Sequence, residues 1–268
     1  MRRREFLAAA SSGMLVAALP GRTQAAESDG TGRQYIEVRC YRFASAEKRD
    51  AYAKFLGEAG VAALNRAGVA AVGIFRLMEA DNPKLKLSGD PLEIWVVLPH
   101  DSVESVVGLE GKLGADKEYQ EAGKEILLAG KADPAFVRFD SHLLWAFEGH
   151  PRMTPPSEKA EGRMYELRTY ESPSEERAIN KLAMFNGGEI PMFGKAGMPP
   201  VFFGEAVAGN DLPHLTYMIY HGAEDPKGHW MAFQGGEEWK KMSTDPVYKD
   251  NVSKITNRFL RPVAGSQL

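Results

Sequence analysis

Two short strings place the same three chemical groups on one face of a strand: Glu37-Val38-Arg39-Cys40-Tyr41 and Glu166-Leu167-Arg168-Thr169-Tyr170. Side chains alternate across a strand, so Glu, Arg and Tyr at every second position share a face. A guanidinium offers a planar fork of donors that suits carboxylates and other oxygen acceptors, and a phenol adds one more donor. The stripe has two uses. It can bind an anionic or carbonyl ligand through Arg39 and Arg168, with Tyr41 and Tyr170 as hydrogen-bond donors. It can instead close on itself as Glu–Arg pairs that lock packed layers together, the commoner role of a buried ion pair.

His221, which ends a strand, joins these six as a ligand-site candidate, because a histidine at a pocket mouth can move a proton. His100 ends the matching strand of the first half. His214 and His221 are an odd number of residues apart, so a regular strand points them to opposite faces and they cannot share a metal. His221, Glu224, Asp225 and His229 are close in sequence but lack the spacing of a helical ligand pair. No metal site is assigned. The Gly187-Gly188 and Gly235-Gly236 pairs stand outside any phosphate-loop context, no nucleophile-elbow motif occurs, and no cofactor is specified. Trp230, Phe233 and Trp239 read as core, as does the Met/Phe-rich stretch from Met184 to Phe203.

The strings are part of a longer repeat. Glu37, Arg39 and Tyr41 align with Glu166, Arg168 and Tyr170, and Gly68 and Val72 align with Gly197 and Val201 at the same offset. His100 then aligns with His221 at a shorter offset, because the first copy carries a longer connection from Met78 to Pro91. Each copy predicts strand, helix, two strands, helix and strand. The strands are Tyr35–Phe43, Val72–Leu77, Leu92–Leu98 and Phe136–Phe147, then Met164–Tyr170, Val201–Glu205, Leu215–Tyr220 and Ile255–Leu260. Ser172-Pro173-Ser174-Glu175 predicts a helix capped by Ser172, and Asp101 or Ser102 caps the second helix of the first copy. Gly68 and Gly197 suit left-handed helix stops. The first unit spans 33–148 and the second 163–268; residues 149–162, with three prolines and no apolar period, form a linker.

This order is the ferredoxin-like α+β unit, an antiparallel sheet with helices on one face. Two such sheets can cover each other as a dimeric α/β-barrel, either inside one chain or between the chains of a homodimer. The apolar alternates Ile36, Val38 and Cys40, and Tyr165, Leu167 and Thr169, are expected on the helices. The Glu-x-Arg-x-Tyr stripes are then expected inside the barrel.

Tyr165-Glu166-Leu167-Arg168-Thr169-Tyr170, Glu237-Glu238-Trp239-Lys240 and Phe259-Leu260-Arg261-Pro262 resemble the NIPSNAP family over residues 163–262. The first copy keeps only Glu37-Val38-Arg39. The resemblance implies the dimeric barrel fold, but it brings no agreed activity and no catalytic residues. Cofactor-free monooxygenases and haem enzymes share that frame, an analogy of fold alone.

Residues 1–26 read as an export signal. Arg3-Arg4-Glu5-Phe6-Leu7 resembles the twin-arginine motif, an apolar run continues to Leu19, and small residues follow at Ala25 and Ala26. The 268-residue chain has a net charge of −3, so no basic surface calls for nucleic acid, and its lone Cys40 precludes an internal disulfide. No segment after the signal is long and apolar enough to span a bilayer. The expectation is an exported soluble protein, periplasmic or secreted, that binds a small molecule in a polar pocket between the sheets. The alternatives are an enzyme of monooxygenase or haem type, and a non-catalytic structural or partner-binding module.

Overall fold

A computed structural model describes residues 32–223 and 225–268. Residues 1–31, which include the expected export signal at 1–26, and Glu224 lie outside the described residues. The strands are β1 (Tyr35–Arg42), β2 (Gly73–Leu77), β3 (Glu93–His100), β4 (Arg138–Ala146), β5 (Met164–Glu171), β6 (Pro200–Ala208), β7 (His214–Gly222) and β8 (Lys254–Pro262). The helices of the first unit are α1 (Ala46–Phe55), α2 (Val61–Arg66), α3 (Val103–Ala115), α4 (Lys117–Ala122) and α5 (Lys124–Leu127). Those of the second are α6 (Glu175–Met184), α7 (Ile190–Lys195), α8 (Pro226–Gly235) and α9 (Glu237–Ser243).

The eight strands form one closed antiparallel barrel in the order β1-β3-β2-β8-β5-β7-β6-β4. Each unit contributes a four-stranded sheet, and β2–β8 and β4–β6 pairing joins the two. The barrel therefore closes within one chain and needs no second chain to cover either sheet. Closure removes the free sheet edges that would otherwise invite pairing.

Local signals set the helix ends. Ser45 and Ser102 cap α1 and α3. In the second unit the cap is Ser174, which accepts from Arg177 N, and not Ser172. Gly68 and Gly197 take positive φ at the stops of α2 and α7. A π turn interrupts the first helical segment of each unit, at Leu56–Gly60 and Phe185–Glu189. The two turns sit at equivalent repeat positions.

The expected assignment of faces is reversed. Ile36, Val38, Cys40, Tyr165 and Leu167 pack inside the barrel with Phe75, Val97, Leu144, Phe202, Met218 and Leu260. Tyr41 packs outward with Tyr52, Phe55 and Leu64, and Tyr170 packs outward with Phe185 and Phe193. Alternation itself holds. Most of the barrel interior is apolar and takes the apolar alternates, with Thr169 among polar residues toward one end. Each Glu-x-Arg-x-Tyr stripe faces its own helices, where polar helix groups can pair with it.

Candidate functional site

Glu166 is fully buried at the centre of the second stripe. Its Oε1 accepts from Arg168 Nη1 at 2.7 Å and from Asn257 Nδ2 at 3.3 Å. Its Oε2 accepts from Trp230 Nε1 at 2.7 Å and pairs with His221 Nε2 at 3.0 Å. Burial pushes this carboxyl up, but the bonds from His221, Arg168 and Trp230 outweigh it and hold the group below the ordinary range. β5, β7, β8 and α8 each contribute to this cluster, so Glu166 fixes one helix to three strands.

Arg168 is held from two sides. Its Nε donates to Tyr170 Oη at 3.2 Å, and its guanidinium carbon lies 4.3 Å from the Trp230 ring centroid. Tyr170 in turn shares a 2.9 Å hydrogen bond with the buried Tyr217 hydroxyl. Together these contacts engage Nε and Nη1 of Arg168, and the residue lines a cavity of about 940 Å3. That volume suits a small organic ligand.

The cavity lies between the outer face of the second sheet and α6, α8 and α9. Trp230, Phe233 and Trp239 wall it, and Lys181 and Glu189 stand among its lining residues. Trp230 and Trp239, read from sequence as core, are thus cavity wall. Lys181 Nζ donates to Glu189 Oε2 at 2.8 Å, and both side chains are buried. Burial raises the Glu189 carboxyl against the pull of Lys181. The fourth side comes from the first unit. Residues 80–85 of its longer connection reach across, and Asn82 fastens them through bonds to and from the Phe259 backbone. Asp81 grips Arg261 through both carboxylate oxygens.

The first stripe has the same parts and a different outcome. Arg39 donates to Glu37 at 2.8 Å, to Tyr41 at 3.2 Å and to Glu110 of α3 at 3.1 Å. Ser141 donates to Glu37 at 2.6 Å. His100 Nε2 stays 3.7 Å from Glu37 Oε2, too far for a direct bond. Tyr41 is packed by Tyr52 and Phe139, each with ring centroids 4.9 Å away. Here Glu110 and the aromatic rings fill the region that is open in the second unit. Arg39 and Tyr41 do not line the large cavity, so the structure does not bring the seven sequence candidates into one site. Glu166, Arg168 and Tyr170 line that cavity, and the fully buried His221 supports Glu166 from behind.

Lys181 and Glu189 were missed from sequence. The signal was the repeat itself: at its constant offset they replace Tyr52 and Gly60, charges where the first copy has a ring and no side chain. His214 and His221 do point to opposite faces. His214 enters the barrel interior and pairs with His142 at 3.3 Å, while His221 stacks outside on His229 with ring centroids 5.3 Å apart.

Residues 165–267, within the second unit, match the NIPSNAP family model. None of the curated proteins matches the chain. Among solved structures, a candidate monooxygenase of Fusobacterium nucleatum is similar at 8% identity, with 86% of this chain and 93% of that chain covered and a TM-score of 0.57. A candidate monooxygenase of Lactobacillus acidophilus is similar at 9% identity, over 86% and 94% of the two chains, with a TM-score of 0.54. At these identities the likeness shows the barrel fold. A NIPSNAP-family protein of unknown function from Agrobacterium tumefaciens is 14% identical and covers 46% of this chain and 94% of its own, with a TM-score of 0.33.

Proposed function

We propose that the protein binds a small molecule bearing a carboxylate or carbonyl oxygen in the second-unit cavity, with Arg168 as its principal donor. The carrying observation is the contrast between equivalent arginines. Arg39 meets Glu37, Tyr41 and Glu110 and does not line the large cavity, whereas Arg168, bonded to Glu166 and Tyr170, lines a cavity of about 940 Å3. A rigid guanidinium, stacked on an indole and braced by a carboxylate, is pre-oriented for an oxygen acceptor. The aromatic wall adds apolar area for the rest of the ligand. The N-terminal signal string supports export, with binding taking place outside the cytoplasm.

The test is a thermal-shift panel of aromatic and aliphatic carboxylates, with titration calorimetry on the hits. Stabilisation of the wild type that disappears in a folded Arg168→Met variant is expected. Equal stabilisation of both proteins would overturn the reading.

A second reading, an oxygenase acting on the same bound molecule, is supported by the fold shared with two candidate monooxygenases. Haem fits the cavity poorly. Its described lining contains neither histidine nor cysteine, and the Tyr170 hydroxyl is occupied by Arg168 and Tyr217. Oxygen uptake by the purified protein in the presence of a bound hit separates the oxygenase from the binding protein.

A further inference from the structure

The inside of the barrel holds a second polar space, separate from the helix-side cavity because strand alternation divides them. Along β8, Ile255, Asn257 and Phe259 line the outer cavity, while Lys254, Thr256 and Arg258 line a smaller one of about 210 Å3 within the barrel. The apolar interior described above gives way here to Thr169, Thr216, His142, His214 and Asp140. We propose that this end of the barrel is a binding site for a small oxyanion or carboxylate, with Arg258 as the residue that grips it.

The argument starts from charge. Two other cations in this space already have partners: Arg42 pairs with Asp140 and Glu93, and Lys254 pairs with Glu171 at 2.7 Å. Arg258 pairs with no carboxylate and no hydrogen-bond acceptor among the described residues. Its guanidinium carbon instead lies 4.8 Å from the ring centroid of Trp95, and both residues line the cavity. Trp95 is itself fixed, because its Nε1 donates to Glu93 at 3.2 Å. Burial disfavours the Arg258 charge, and Glu93, already engaged by Arg42 and Trp95, offsets it only electrostatically and not through a hydrogen bond.

The neighbours supply further donors. His142 Nδ1 and His214 Nε2 share a proton across 3.3 Å, His214 Nδ1 reaches Thr216 Oγ1 at 3.4 Å, and Thr216 meets Thr169 at 2.9 Å. This chain of rotatable hydroxyls and rings can turn a donor toward an acceptor in the cavity. Thr256 sits in register beside Thr169, and its hydroxyl has no hydrogen-bond partner among the described residues. A volume of about 210 Å3 admits a tetrahedral oxyanion or a short carboxylate, and excludes the larger ligand that suits the outer cavity.

The test is an NMR titration of the intact protein with sodium sulfate, and separately with sodium acetate, at ionic strength held constant with chloride. The reporters are the ring C–H resonances of His142 and His214, which survive substitution of Arg258. Saturable shifts are expected with at least one of the two anions, weakened at least tenfold in Arg258→Met and severalfold in Thr256→Val. Arg168→Met leaves them unchanged. The better-bound anion distinguishes a tetrahedral from a carboxylate ligand. If Arg258→Met is not recovered folded, Arg258→Lys takes its place, with severalfold weakening expected because the charge remains and the fork does not. Shifts that never saturate in the wild type, or saturate identically in folded Arg258 and Thr256 variants, overturn the proposal.

Discussion

Trp230 serves Arg168 twice: its ring stacks 4.3 Å from the guanidinium carbon, and its indole N–H donates at 2.7 Å to the carboxylate that pairs with that guanidinium. Trp230→Phe keeps the stacking surface and removes the donor. The variant is expected to lose about 1–3 kcal/mol of stability, the usual cost of taking one bond from a buried charged group. Ligand affinity should weaken severalfold as Arg168 loosens. Denaturant unfolding and calorimetry with a carboxylate hit check both. Full affinity with reduced stability would make Trp230 a structural brace alone.

Glu166 is fully buried and meets four hydrogen-bonding partners, so its substitution tests whether the cluster holds the unit together. In Glu166→Gln an amide N–H2 must face at least one of Arg168, Asn257, His221 and Trp230. A loss of about 3–5 kcal/mol is expected, as when one partner of a buried ion pair is removed. Equilibrium urea unfolding measures it. A loss below about 1 kcal/mol would show that the donors find other acceptors.

Much of this arrangement is legible in the sequence, and the part that is not has a clear cause. The repeat, all eight strands and the sharing of one face by Glu, Arg and Tyr follow from residue types and alternation. Alternation says which residues share a face but not which face meets the helices. Ile36, Val38 and Cys40 would pack well on either side. The choice depends on barrel closure through β2–β8 and β4–β6, which joins residues far apart in sequence. The asymmetry between units is equally hidden, because it depends on Glu110 reaching Arg39 while Trp230 reaches Glu166. The longer Met78–Pro91 connection is visible from sequence as an insertion. Its place as a wall of the other unit's cavity is not.

Acid stability follows from the two stripes. Burial raises Glu37, but His100, Arg39 and Ser141 outweigh that effect and bring it from 4.5 to about 2. A carboxyl with a depressed folded pKa contributes its full stabilisation above the unfolded value, and loses it as pH falls from about 4.5 toward 2. Glu166 acts in the same direction and Glu189, raised by burial, in the opposite one. Urea midpoints should therefore drop across this window, and Glu37→Gln should flatten the drop by an amount on the order of 3 kcal/mol. A parallel decline in wild type and variant would remove Glu37 from the account.

The Lys181–Glu189 pair predicts strong coupling between two positions that the first unit fills with Tyr52 and Gly60. Lys181→Met leaves a buried carboxyl without its cation and is expected to cost about 3–5 kcal/mol. Lys181→Met combined with Glu189→Met removes both charges, and should recover most of that loss. The interaction energy of a double-mutant cycle reads this directly. Additive effects would mean that Glu189 is already protonated in the folded protein and draws little from Lys181.

Gly57 tests how the end of the chain is seated. It is the second residue of the π turn after α1, where alanine in a helix ordinarily gains about 1 kcal/mol over glycine. Here a Cβ would run into the backbone carbonyl of Ala264, and Gly265, at φ +84°, packs against the same spot. Backbone cannot swing aside as a side-chain end does. Gly57→Ala is therefore expected to destabilise by more than about 1 kcal/mol, a reversal of the helical preference. The displacement should reach Leu268, which is fully buried among the barrel-interior residues, through the bonds from Gln267 N to Val72 O and from Ile74 N to Ser266 Oγ that seat this segment on β2. Hydrogen exchange at the Ile74 amide follows the effect locally. Faster exchange there in Gly57→Ala supports the seating, and an unchanged rate with unchanged stability would place the segment elsewhere in solution.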